Sequence, residues 1–101
     1  MDDNAVIVFA SFRPIAGKEH ELQRLLSWMV EHTRTEPGCE RYDLYRRHDD
    51  RTFHLFERYR TSEALEQHRA SDHYVEYRRR VGDLIEEPIE VLVLDGLAVA
   101  R

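Results

Sequence analysis

The chain opens on an almost unbroken apolar run, Ala5 to Phe12, rich in Val, Ile and Phe. A short run of this composition, without a helical period, predicts a strand buried on both sides. Pro14 and Gly17 close it. From residue 18 to residue 35 the period changes. Leu22, Leu25, Leu26 and Met29 fall at i, i+3, i+4 and i+7, with Glu, Gln and Arg between them, which predicts an amphipathic helix. Pro37 and Gly38 stop it. Cys39 leads into a second strand carrying Tyr42, Leu44 and Tyr45. His48-Asp49-Asp50-Arg51 reads as a turn, and Thr52 to Tyr59 alternates as a third strand in a hairpin with the second.

Thr61 or Ser62 is placed to cap a helix starting at Glu63, with Leu65 and His68 on one face. Ser71-Asp72 interrupts that pattern and caps a second segment, where Tyr74, Tyr77, Val81 and Leu84 keep helical spacing up to Pro88. Ile89 to Leu94 is a last apolar strand, with Val91 and Val93 on one side and Leu92 and Leu94 on the other. The order β-α-β-β-α-β predicts an α+β fold, ferredoxin-like, with a four-stranded antiparallel sheet and two helices on one face. Apolar strands on both sides leave one sheet face uncovered, which is the signature of an interface. A homodimer through that face is the expected solution. On this reading one side of the last strand packs on the chain's own helices and the other on a partner.

Length and charge narrow the function classes. The 101 residues fit a single domain, 1–101, with one modest core. A chain of net charge -5 has no general basic face for nucleic acid or an anionic membrane surface. The run Arg78-Arg79-Arg80 reads as the wet side of a helix, since Asp83, Glu86 and Glu87 follow it. Cys39 is the single cysteine, so no disulfide forms within the chain. With no basic signal segment and no apolar run of membrane length, a reducing cytoplasm is the expected setting.

Several segments taken in order then become specific: Glu36-Pro-Gly-Cys-Glu-Arg-Tyr-Asp-Leu-Tyr45, Phe56-Glu-Arg-Tyr59, Ser62-Glu-Ala-Leu-Glu-Gln-His68 and Ser71-Asp-His-Tyr74. At these spacings the chain resembles the antibiotic-biosynthesis monooxygenase family from about Val6 to Leu94. The resemblance implies a dimeric α+β barrel with a pocket between sheet and helices in each subunit. It implies oxidation of a small aromatic substrate, a quinol or anthrone, by molecular oxygen with no metal, flavin or other cofactor. The family also includes haem-degrading enzymes and an isomerase of a phosphorylated metabolite. Haem-degrading relatives carry Asn, Trp and a haem-ligating His where this chain has Ala10, Tyr59 and Arg78, so a haem role is not implied.

Candidate chemistry follows from faces. Phe53, Leu55, Glu57 and Tyr59 share one side of the third strand, which the resemblance turns toward the helices and the pocket. Burial raises a carboxylate's pKa unless a cation pairs with it, so Glu57 has the setting of a general base or of a structural ion pair. His68, on the apolar side of its helix, is either a satisfied core histidine or the proton acceptor. The geometry of the two elements predicts that Glu57 and His68 meet in one cavity and pair there, with Tyr59 and His73. His73 could equally cap its helix. Tyr42 and Tyr59 are candidate hydrogen-bond donors, and Trp28 is a packing residue or a pocket rim. His68 and His73 are five apart across a helix break, unlike the i, i+4 face of a zinc helix, so no metal is assigned.

Overall fold

The computed structural model describes residues 5–100. The predicted strands form where the apolar runs lie: β1 (Val6–Phe12), β2 (Cys39–Arg46), β3 (Phe53–Tyr59) and β4 (Glu90–Leu94). They make one antiparallel sheet in the order β2-β3-β1-β4. Three helices accompany it: α1 (Glu19–Thr33), α2 (Ser62–Arg69) and α3 (Asp72–Val81). This is the ferredoxin-like α+β arrangement, with the second helical segment broken in two.

The break has a local cause. Thr61 Oγ1 accepts the Ala64 amide and caps α2. Ser71 Oγ accepts the Tyr74 amide and caps α3, while its hydroxyl donates to the His68 carbonyl at 2.7 Å. One serine thus ends one helix and starts the next.

Leu22, Leu25, Leu26 and Met29 of α1 bury their side chains against Phe12, Tyr42, Phe53 and Leu55 of the sheet and Tyr77, Val81 and Leu84 of the last helical region. A second, smaller cluster joins Val8 and Tyr59 to Ala64 and Leu65 of α2. Gly38, just before β2, sits so close to Ala64 that a Cβ there would overlap the alanine methyl. Gly38→Ala should therefore push α2 off its seat and cost about 1–3 kcal/mol as an overpacking change. A thermal melt would show it, and an unchanged melting temperature would argue against this close approach.

Two expectations need correction. The last helix stops at Val81 rather than running to Pro88. Beyond it the chain folds back on the β1–α1 loop, where Ile15 N donates to Leu84 O and Glu86 N to Arg13 O. These bonds replace the helical ones, and Leu84 still reaches the core. The second correction concerns β4. Val91 and Val93 pair with Ala10 and Val8, which face the helices. Yet Val91 and Val93 are 43% and 56% exposed, so the chain's own helices do not cover them. Leu92 and Leu94, on the outer side, are 45% and 44% exposed. Both sides of β4 are open, because α2 and α3 stop short of that edge.

Candidate functional site

The seam between the two apolar clusters holds the polar groups. β3 alternates, burying Phe53, Leu55, Glu57 and Tyr59 on the helix side and leaving His54, Phe56 and Arg58 on the other. α2 turns Ala64, Leu65 and His68 inward at helical spacing. Glu57 and His68 are 5% and 2% exposed and line the same cavity. Its remaining walls are Val8, Ala10, Tyr42, Leu65, Tyr74 and Tyr77, with Arg69, Arg78 and Val91 at the open β4 side. The cavity holds about 30 Å³, enough for a water or two.

Glu57 and His68 face one cavity but do not pair with each other. The Tyr59 hydroxyl donates to Glu57 Oε1 at 2.7 Å. Burial pushes the Glu57 carboxyl up to about 7, opposed by that hydrogen bond and by the Arg69 charge. The same burial, with Glu57 beside it, holds the Tyr59 phenol far above its ordinary value, so it serves as a donor only.

His68 has a partner that sequence reasoning did not single out. Glu36, on the loop after α1, places Oε2 at 2.9 Å from His68 Nδ1 and at 2.5 Å from His73 Nε2. Glu36 lies in the Glu36-Pro-Gly segment, where a loop carboxylate before a helix-stopping pair looks like any solvated side chain. Only the docking of α2 and α3 brings the two histidines to it. With His68 Nδ1 and His73 Nε2 each donating to the Glu36 carboxylate, His68 is held as the tautomer whose Nε2 carries no proton and is free for the cavity. Burial lowers the His68 pKa, against the opposing pull of Glu36, so its neutral form dominates near neutral pH.

The other candidates fall into separate places. Tyr42 is buried in the cavity wall, and its ring lies 5.7 Å from that of His68. Tyr59 sits behind the wall, its ring 5.2 Å from His68 and its hydroxyl spent on Glu57. His73 is on the outer side of Glu36. Phe53 and Leu55 belong to the core under α1 and do not line the cavity. Trp28 lies on an outer groove of α1, its ring 4.5 Å from that of His32. Tyr74 and Tyr77 enter the wall from the helical stripe read in the sequence, Arg78 from the place where haem-degrading relatives have their ligand, and Arg69 without a prior signal.

The model of the antibiotic biosynthesis monooxygenase family matches residues 5–80, which include β1, the hairpin, α2 and nearly all of α3. The chain belongs to the antibiotic biosynthesis monooxygenase family. It is 46% identical over 92 residues to a Mycobacterium tuberculosis protein named "Putative monooxygenase Rv0793", covering 91% of each chain. The solved structure of that protein superposes with a TM-score of 0.93, at 44% identity, over 96% of this chain and 99% of the other. The Pseudomonas aeruginosa protein PA3566 superposes with a TM-score of 0.86, at 30% identity, over 95% and 97% of the two chains. Membership and these names support a general monooxygenase-like function. Among the described residues no helix is long and apolar enough to cross a membrane.

Proposed function

We propose that the chain is a monooxygenase that oxidises a hydroxylated, electron-rich aromatic of the quinol or anthrone type with molecular oxygen. The observation that carries this reading is a buried imidazole, oriented from behind by Glu36, sharing a cavity with a buried carboxyl that titrates near 7. His68 Nε2 takes the substrate's acidic proton. The anion then adds oxygen to carbon. With the proton returned, the hydroperoxide loses water and leaves a carbonyl, so one oxygen atom enters the product and the other leaves as water. No other reductant is needed, because the substrate supplies the electrons. Glu57 in its protonated form, with Tyr42, donates hydrogen bonds to the substrate oxygen on which charge develops.

A ring needs far more space than about 30 Å³. Arg69 and Arg78 are exposed side chains at the open side of the cavity, so their rotation, with that of Tyr74, is the route by which it enlarges. The test is oxygen uptake by purified, chelator-treated protein over a panel including dithranol and a menadiol. Absence of protein-dependent uptake across the panel overturns the reading.

Arg69 and Arg78 also favour a second reading. Neither is in an ion pair among the described residues, and they could hold a phosphate beside His68. A non-oxidative isomerase of a small phosphorylated metabolite would bind such a ligand without consuming oxygen, and would lose it on Arg69→Ala and Arg78→Ala. A non-catalytic ligand-binding protein is less well supported, since Glu57 and His68 both face the cavity.

The proposed assembly is a homodimer through the outer sheet face, where Phe9, Phe56, Leu92 and Leu94 come together. The partner would also cover the bare edge of β4 beside the cavity. Leu92→Asp should break it, since burying an unpaired charge costs several kcal/mol. Sedimentation of this variant as a dimer would refute the assignment of faces.

A further inference from the structure

The Glu36, His68 and His73 cluster does more than orient one base. Their ligating atoms all lie within 4.8 Å of one another, one carboxylate oxygen and two imidazole nitrogens. Two imidazoles and one carboxylate form a donor set that suits zinc and its neighbours in the first transition row. Ligands at metal bond lengths of about 2.1 Å around a tetrahedral ion stand roughly 3.4 Å apart. Glu36 Oε2 lies 2.9 Å from His68 Nδ1 and 2.5 Å from His73 Nε2, and all three atoms lie within 4.8 Å of one another, so Glu36 would move out and the two imidazoles closer together, each by about an ångström, to form the seat.

The helix break is what makes this possible. On one continuous helix, residues five apart would point in different directions. The Ser71 cap starts α3 on a new axis and brings the His73 ring to 6.0 Å from that of His68. Burial is graded in the way a three-ligand site with one open position needs. The His68 side chain is 2% exposed, while Glu36 and His73 are each 15% exposed, so a fourth, solvent position lies on the outer side. The other His68 nitrogen belongs to the side of the ring that lines the cavity with Glu57, where a metal-bound histidine could find an outer carboxylate partner, although the two are not hydrogen-bonded here.

We infer that Glu36, His68 and His73 form a binding site for a first-row divalent cation such as zinc, on the face of His68 turned away from the cavity. Occupancy has a defined consequence. A metal on Nδ1 takes the place of the proton that His68 donates to Glu36, so neutral His68 carries its proton on Nε2 instead. The nitrogen facing the cavity changes from acceptor to donor. The cation thereby silences His68 as a base, a consequence that rests on the role proposed above, whereas binding itself does not.

The experiment titrates chelator-treated full-length protein with Zn2+ in a calorimeter and with Co2+ by visible absorption. Long-range proton–nitrogen NMR of the histidine rings follows the same titration. The expected result is one ion per chain in the micromolar range or below, with the His68 and His73 nitrogens shifting and His68 Nε2 becoming protonated. Affinity should fall on the order of a hundredfold or more in Glu36→Gln and in His73→Ala, since losing a ligand costs at least as much as losing an outer-shell partner. His73 is at the rim, so its variant decides the matter even if Glu36→Gln does not fold. No saturable binding, or equal binding by wild type and His73→Ala, overturns the site. Shifts confined to His20 or His48 overturn it as well. Binding of the expected kind with undiminished oxygen uptake would leave the cation site standing and remove His68 from the reaction.

Discussion

His68→Gln should lower oxygen uptake on an accepted quinol or anthrone by about a hundredfold, the usual contribution of a positioned general base. Glutamine fills much of the imidazole's space, and its amide can still donate to Glu36, but it cannot accept a proton. The melting temperature should therefore stay within a few degrees of wild type. His68→Ala is a different experiment. The His68 ring packs against Tyr74 at 5.1 Å, Tyr59 at 5.2 Å and Tyr42 at 5.7 Å between centroids. Deleting it leaves a void and one fewer donor for Glu36, costing about 3 kcal/mol by comparison with large-to-small core changes. Comparing the two separates chemistry from packing. Full turnover in the folded glutamine variant would refute His68 as base. In wild type, turnover should fall as the solution is acidified through the lowered His68 pKa, since the protonated ring cannot accept.

Glu57→Gln should make the protein more stable above neutral pH, by on the order of 10 °C in melting temperature. The sign follows from the raised carboxyl. Folded Glu57 titrates at about 7 against 4.5 for an ordinary glutamate. Below 4.5 both folded and unfolded chains hold the proton, and no penalty arises. Between the two values the unfolded chain ionises while the folded one resists, so stability is progressively lost. Above about 7 the loss is complete, at roughly 3 kcal/mol. Glutamine is neutral throughout and keeps an oxygen to accept the Tyr59 hydroxyl. The two proteins should melt together near pH 4 and diverge as pH rises, which calorimetry at several pH values would record. Parallel curves would mean that Glu57 is not buried as a neutral acid. If protonated Glu57 also donates to the substrate oxygen, wild-type turnover declines above about 7, and this alkaline limb is absent in Glu57→Gln.

The element order was legible in the chain because periodicity reports which faces are apolar. The β1 run, the i, i+3, i+4, i+7 stripe of α1, the alternation of β3 and the caps at Thr61 and Ser71 each act over a few residues. The burial of Glu57 and His68 was legible for the same reason, since each shares its face with apolar neighbours. Their partners were not. Glu57 and His68 were expected to pair, but Tyr59, two residues away on the same face, reaches Glu57 first, and a loop carboxylate 32 positions upstream takes His68. The end of α3 was likewise decided by backbone bonds to the β1–α1 loop. Periodicity along one strand or helix fixes which way a side chain turns, and that much the amino-acid order determined. Which groups it meets depends on how α2 and α3 dock beside the end of α1. That docking is set by packing between residues distant in sequence, and only the tertiary structure decided it.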